Sequence, residues 1–365
     1  MKSLNLKRSE EMLLALLRAA IHQQEVEVAY FQQTTDEDWV QCYRLAVRQG
    51  VSALAWEGIE RLLVEYCPPL DVKLSWALLE KKQQQKYRKH CQAVNELARL
   101  YAQHGIATVV LKGVGLSRLY PVPAHREGGD IDIYTYSADK TQMTDEEANR
   151  LADEWMKKQG GGMDDTTFRK HSQFFFQGIT VENHRMFLHE AECQTTNKAE
   201  LWLRGHAETE TVELMDGGCR IVVPSAAFDS VFVPLHAALH YGMGLSLKHL
   251  CDWTLLVKQY GVNLPLGLED IYFKRTITTL TLLCNRYLGL AVPMEGDEKM
   301  ADEMMREILH PAYCHKAPPG DPVRGYWFRL KNRVHVFRLK RRLLGVSFWG
   351  KIRGLCVRKI KEVKN

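Results

Sequence analysis

The stretch GDIDIYTY, residues 129–136, alternates apolar and polar side chains, a pattern typical of a β-strand. Ile131 and Ile133 occupy one face of that strand, and the other face begins with two carboxylates, Asp130 and Asp132. Side chains at i and i+2 point the same way, roughly 6.5–7 Å apart. Neighbouring anions repel each other unless a cation or open solvent lies beside them. Because Asp is depleted in strands, the pattern favours a cation site over an edge strand that merely faces water.

Short strands and turns surround this stretch and predict an α+β core with a small mixed sheet. The predicted elements are a buried strand over 106–111, a turn at Lys112-Gly113-Val114-Gly115 into a brief helix that ends near Pro121, a helix over 144–158 capped by Thr144, a hairpin of residues 172–176 and 179–184 joined across Gln177-Gly178, and a strand pair near 210–223.

Helical patterns flank this core on both sides. Residues 5–31, 37–64 and 72–104 predict helices, with Asp36 as the cap of the second. Residues 225–290 are helical in pattern again. We therefore expect four segments: an N-terminal helical region over 1–104, the α/β core over 105–224, a C-terminal helical domain over 225–322 and a basic tail over 323–365.

Composition and charge narrow the class of protein. The chain has 365 residues, no apolar run long enough to cross a membrane, and nine cysteines without a C-x-x-C pair, so a soluble protein of a reducing, cytoplasmic compartment is expected. The N-terminus predicts an amphipathic helix and not a signal peptide. The tail holds 14 Lys or Arg and a single acid, Glu362, whereas the remaining residues hold 35 basic and 43 acidic side chains.

Two carboxylates on one strand face suit a divalent metal ion such as Mg²⁺, which prefers hard oxygen ligands. A third carboxylate would complete a site for two ions, which can clamp an in-line phosphoryl displacement. Glu182 is the best candidate, because it lies in a predicted strand between Val181 and Asn183, where a core residue would be apolar.

Three ordered motifs resemble the uncharacterised nucleotidyltransferase family of the DNA-polymerase-β-like superfamily, over roughly residues 10–290. The resemblance is carried by Leu111-Lys112-Gly113 with Tyr120-Pro121, Arg126 and Gly129-Asp130-Ile131-Asp132-Ile133; by Gly178-Ile179-Thr180-Val181-Glu182-Asn183-His184; and by His240-Tyr241-Gly242 with Leu247-Lys248-His249-Leu250-Cys251-Asp252-Trp253.

This resemblance implies a bacterial transferase with a polymerase-β-like core. Such an enzyme would move a nucleoside monophosphate from an NTP, ATP among them, to an acceptor hydroxyl or phosphate, and release pyrophosphate. It implies Mg²⁺ as cofactor, two ions with Mn²⁺ as an alternative, on the catalytic residues Asp130, Asp132 and Glu182. The candidate nucleotide-binding residues are Lys112, Gly113, Arg126, Lys248 and Asp252. Position 248 is Lys where the family more often has Arg, which favours a point charge over a bidentate phosphate contact.

The acceptor and the location remain open between alternatives. A sugar-linked small molecule would fit a role in surface polysaccharide synthesis, RNA would fit a tRNA-modifying toxin-like enzyme, and a non-catalytic relative would bind a nucleotide or partner only. The tail interleaves aromatic and basic residues, so it is expected to lie on an anionic membrane surface, bind RNA, or pack on the core. A peripheral location at the inner membrane face follows from the first of these.

Two other patterns are weaker. Gly113-x-Gly115 after a strand resembles a dinucleotide-binding turn, but Arg118 stands where the third small residue belongs. His236 and His240 have the i, i+4 spacing of a zinc pair, but the sequence HAALH lacks the glutamate of the H-E-x-x-H motif, so a packing or substrate-facing role is favoured. Asp252-Trp253 fits a core-facing helix and the wall of a site equally well.

Overall fold

The computed structural model describes residues 4–161, 171–188, 193–214, 219–313 and 322–347. The chain divides into two compact units. The sheet unit comprises residues 6–187 and 207–226, and the helical unit comprises residues 1–5, 188–206 and 227–365. The four-segment division expected from the sequence stays a prediction.

Four helices lead into the sheet: α1 Arg8–His22, α2 Asp36–Gln49, α3 Ser52–Ile59 and α4 Leu70–Ala102. The predicted helices over 5–31 and 37–64 are wrong in extent, because each is interrupted. Gln23 ends α1 with a left-handed φ of 54°, and Gly50 ends α2 with a φ of 66°. Thr35, and not Asp36, caps α2, because its side chain accepts a hydrogen bond from the Asp38 backbone N–H.

The expected α+β class with a small mixed sheet is confirmed. Its strands are β1 Ile106–Val110, β2 Ile131–Ser137, β3 His171–Phe176 and β4 Ile179–His184, in the order β1-β2-β4-β3. The β2–β4 pair is parallel and the other two pairs are antiparallel. Helices α5 Val114–Ser117 and α6 Asp145–Lys158 and a separate hairpin of β5 Thr209–Glu213 and β6 Arg220–Pro224 complete the unit. Thr144 caps α6 as predicted.

The two faces of the sheet differ in character. Ile131, Ile133 and Val181 are buried in a core that also contains side chains of α4 and α6. Beneath β2 and β4 this face also holds a polar network, in which the Asn183 side chain donates to Asp153 Oδ1 at 2.9 Å and Asn149 donates to Asn183 Oδ1 at 3.1 Å. Such buried, satisfied hydrogen bonds fix the mutual alignment of the strands and of α6. The opposite face carries Asp132 and Glu182.

Two turns depend on glycine. Gln177 and Gly178 join β3 and β4 with φ values of 52° and 75°, as a tight hairpin turn requires at both positions. Gly115 follows β1, and a Cβ there would lie 2.5 Å from the Val110 carbonyl oxygen. Only glycine therefore lets α5 begin so close to the end of β1.

The helical unit contains α7 Gln194–Gly205, α8 Ala226–Leu239, α9 Leu247–Tyr260, α10 Ile271–Leu288, α11 Glu298–Leu309 and α12 Pro322–Leu344. Among the helices of the described ranges, none is long and apolar enough to cross a membrane.

The basic tail contributes to the core of the helical unit. Leu343 and Leu344 in the last turn of α12 are fully buried, and the Arg275 guanidinium of α10 donates to the Arg342 carbonyl oxygen at 2.7 Å. Tyr326 and Trp327 near the start of α12 are instead more than half exposed. Burial of these residues supports the packing alternative for the last turn of α12, and a role of the tail in localisation stays a prediction. Phe348 and Trp349 of the tail lie outside the described residues.

Candidate active site

The strand register brings two of the predicted carboxylates together. Asp132 lies directly opposite Glu182 across the parallel β2–β4 pair, so both side chains extend from the same face. Asp130 precedes β2, which begins at Ile131, and is more exposed than the other two. Burial, and then the negative charges of Glu182 and Asp132, raise the pKa of Asp130. The three carboxyl groups therefore act on one another electrostatically.

A cation lies beside the pair of aspartates, and it is Lys112. Its Nζ lies 2.7 Å from Asp132 Oδ1, and both side chains are largely buried. Burial alone would raise the pKa of Asp132, but the Lys112 ammonium and the hydrogen bond from His184 outweigh burial and hold the pKa far below its ordinary value. Asp132 is therefore a fixed anion. Lys112 was predicted as a nucleotide ligand; here its ammonium contacts a carboxylate.

Two histidines that were not among the predicted site residues adjoin the same carboxylates, although His184 ends the second family motif. His184 Nε2 is 3.0 Å from Asp132 Oδ1 and 3.7 Å from Glu182 Oε2, and His171 Nε2 is 3.3 Å from Glu182 Oε1. His184 Nδ1 lies 3.3 Å from the Met186 carbonyl oxygen, so each ring nitrogen of His184 has an oxygen acceptor beside it. The available signal was the position of His184, two residues after Glu182 and thus on its face.

These donors fit a divalent cation. One donor atom each from His171, Glu182 and His184 lie within 4.8 Å of one another, a spacing that a single ion can bridge with small side-chain movements. When the two imidazoles are neutral, three carboxylates and one ammonium leave a net charge of −2. Carboxylate oxygens suit Mg²⁺, whereas the imidazoles extend the set to Mn²⁺ and softer ions.

A pocket next to Asp130 contains three predicted site residues. Gly113, Arg126 and Asp130 line about 260 Å³ of empty space that is partly open to solvent. Helix α4 supplies another wall through Lys86 and His90. Lys86 Nζ donates to the Gly128 carbonyl oxygen at 2.6 Å, and His90 Nε2 lies 3.0 Å from that of Gly129. Helix α4 therefore fixes the Gly128-Gly129 turn that leads into Asp130.

A histidine clamp holds the segment that ends at Arg126. His125 Nδ1 lies 2.8 Å from Glu57 Oε1 of α3, and its Nε2 lies 2.9 Å from Glu80 Oε1 of α4. Burial alone would lower the pKa of His125, but the hydrogen bonds to both glutamates outweigh burial and raise it. The charged clamp thus fixes the backbone next to Arg126.

The remaining predicted nucleotide ligands belong to the helical unit. Lys248 is partly buried and Asp252 is almost fully buried, both in α9. Trp253 is fully buried and its indole N–H donates to Thr281 Oγ1 at 3.1 Å, which supports the core-facing alternative for this residue. Contact of Lys248 or Asp252 with a nucleotide stays a prediction.

Comparison with known protein families decides the class of this protein. The family described as uncharacterised nucleotidyltransferase matches residues 35–287, more than half of the chain. The chain belongs to this nucleotidyltransferase family. As a family member it is a transferase whose donor substrate is an NTP, and the match covers both the carboxylate strands and the helices α8 and α9.

Other comparisons add little to this assignment. The chain is similar to an antigenic nucleotidyltransferase-like protein from Paracoccidioides brasiliensis, whose crystal structure aligns at 14% identity with a TM-score of 0.36, over 56% of this chain and 93% of that one. A likeness this distant does not extend the family assignment. No curated protein matches the chain.

Proposed function

We propose that this nucleotidyltransferase is Mg²⁺-dependent and moves a nucleoside monophosphate from an NTP to an acceptor hydroxyl or phosphate. The observation that carries the proposal is the pair Asp132 and Glu182, which oppose each other on parallel strands with Asp130 alongside. Clustering three carboxylates does not stabilise the fold by packing, and their mutual repulsion is relieved when a cation binds.

In this proposal Asp130, Asp132 and Glu182 hold the metal, with one ion resident and a second arriving with the triphosphate; Mn²⁺ is the alternative ion. Bound metal would neutralise phosphate charge and activate the acceptor oxygen. Lys112 and His184 both contact Asp132 Oδ1 and so hold that carboxylate ionised and in one orientation. They are positioning residues for Asp132, and Lys112 remains a proposed nucleotide contact.

The pocket beside Asp130 is the proposed binding region for the triphosphate. Gly113 and Arg126 line it as predicted, and Lys86 adds a second cationic side chain. Lys248 and Asp252 remain proposed nucleotide contacts from the helical unit, and ATP is the first donor to test.

For the acceptor we propose a sugar-linked small molecule, as in surface polysaccharide synthesis. RNA is the second candidate, favoured by the basic residues of α12, among them Arg324, Arg329 and Arg333. The same helix exposes Tyr326 and Trp327, which supports a proposed peripheral contact with an anionic membrane from the cytoplasmic side.

The proposal is tested with each α-labelled NTP, Mg²⁺ and a cell extract divided into RNA, glycan-linked and membrane fractions. We expect label from one NTP to enter one fraction, and we expect chelation of the metal to stop the reaction. Nucleotide binding without any transfer in all fractions would instead identify a non-catalytic relative. Release of the protein from anionic vesicles on replacing Tyr326 and Trp327 with Ala would support the membrane contact, and unchanged sedimentation would refute it.

A further inference from the structure

Three histidines of the helical unit meet at one point. His236 lies in α8, His240 follows the last turn of that helix, and His249 lies in the first turn of α9. Their ring centroids are 4.7, 5.1 and 6.1 Å apart, and one ring nitrogen from each lies within 4.8 Å of the others. All three side chains are partly buried. The sequence indicates only the His236–His240 pair, because His249 joins it through the packing of two helices.

The start of α9 holds the His249 ring in one orientation. The Ser246 backbone N–H donates to His249 Nδ1 at 3.2 Å, and Ser246 Oγ lies 3.0 Å from the same nitrogen. Metal-binding histidines usually have such a partner on the second nitrogen, which fixes the ring orientation. A metal ion bound through Nε2 would release the proton that Nε2 carries while Nδ1 accepts.

We propose that His236, His240 and His249 form a binding site for a borderline-soft transition metal ion, with Zn²⁺ as the reference ion. Zinc binds imidazole nitrogens at about 2.0–2.1 Å, which sets ligand nitrogens about 3.3 Å apart in a tetrahedral site. The ligand atoms lie within 4.8 Å of one another, so side-chain rotation has to bring them closer together. Three protein ligands leave a fourth position for water or for an oxygen of a bound ligand. Mg²⁺ prefers oxygen ligands and is excluded by this all-nitrogen set.

This site is separate in chemistry from the carboxylate site, and its test does not depend on nucleotide transfer. Untagged full-length protein is treated with a chelator, desalted and titrated with Zn²⁺ by calorimetry in excess Mg²⁺, which occupies carboxylates. We expect one Zn²⁺ per chain that depends on His240 and His249, in addition to any Zn²⁺ that His171, Glu182 and His184 bind. His240→Gln and His249→Asn should each weaken binding by more than the about 10–100-fold that is typical for loss of a supporting residue.

His249→Asn is the sharper variant. Its side-chain oxygen takes the position of Nδ1 and can still accept from the Ser246 backbone N–H, so the start of α9 is retained while Nε2 is removed. The matched control is His206→Gln, because His206 is an exposed histidine of the same unit that stacks on Trp202. Circular dichroism of every variant monitors folding.

Strong Zn²⁺ binding to the wild type and to His206→Gln, with loss in the two cluster variants, supports the site. Equal binding by all four proteins would place the ion elsewhere and overturn the proposal. Absence of Zn²⁺ binding by the wild type in Mg²⁺ would also overturn it, and so would displacement of Zn²⁺ by Mg²⁺ at comparable concentrations.

Discussion

Replacing Lys112 with methionine removes the ammonium group that lies 2.7 Å from Asp132 Oδ1 and keeps a side chain of similar length. Asp132 is only 7% exposed, so the variant leaves a buried carboxylate without its main counter-charge. Breaking a buried ion pair in this way costs about 3–5 kcal/mol. For a unit of roughly 200 residues, this corresponds to a decrease in Tm of about 6–20 °C.

The assay is calorimetric unfolding near neutral pH, with and without Mg²⁺. Lys140→Met is the matched control, because Lys140 pairs with Asp145 at 3.4 Å on the surface and its side chain is 75% exposed. Exposed pairs contribute about 0–1 kcal/mol. If bound metal takes over the role of the ammonium, Mg²⁺ should raise the Tm of Lys112→Met by more than that of the wild type. Equal losses for the two variants, or no preferential rescue by Mg²⁺, would refute this account of Lys112.

Three further outcomes follow from the packing. The charged form of His125 is stabilised between two glutamates, so its contribution to stability is full below its unfolded pKa of about 6.5 and is lost as the pH rises through the higher folded pKa. The Tm of the wild type should therefore fall over that pH range. His125→Gln should be less stable than the wild type at low pH and should lack this fall. Gly115→Ala should cost about 1–3 kcal/mol, measured by thermal unfolding, because its Cβ would lie 2.5 Å from the Val110 oxygen; an unchanged Tm would show that β1 and α5 separate easily. A chain ending at Pro322 loses the buried Leu343 and its neighbours, so it should aggregate or unfold at lower temperature in size-exclusion and circular-dichroism measurements. A monomeric product of unchanged Tm would show that the tail does not stabilise the helical unit.

Local signals in the sequence were sufficient for most strands and turns. The Gln177-Gly178 hairpin, the Thr144 cap and the strand through Ile131 and Ile133 all follow from short-range backbone preferences. The helix breaks were harder. Gln23 ends α1 in a left-handed conformation, which its residue type does not predict. Gly50 is a common type of helix C-terminal residue, but the apolar pattern continues past it and suggested one helix.

The site required information that no local pattern contains. The pairing of Asp132 with Glu182 depends on a parallel register between strands about 50 residues apart in the chain. The contact of Lys112 with Asp132 depends on the antiparallel pairing of β1 with β2, and the approach of His171 to Glu182 depends on the hairpin of β3 and β4. In the same way, His249 joins the histidine pair through the packing of two helices.

The central claim is that Asp132 and Glu182 support transfer of a nucleotidyl group. The most direct measurement compares transfer of label from the preferred α-labelled NTP by the wild type, Asp132→Asn and Glu182→Gln. Glu213→Gln is the matched control, because Glu213 is an exposed strand glutamate of the same unit. Amides keep the size of the carboxylates but cannot neutralise a bound cation. The account predicts that both site variants fold and bind no catalytic metal, so that transfer is abolished, while Glu213→Gln retains the wild-type rate. Transfer by Asp132→Asn at a rate close to that of the wild type would contradict it.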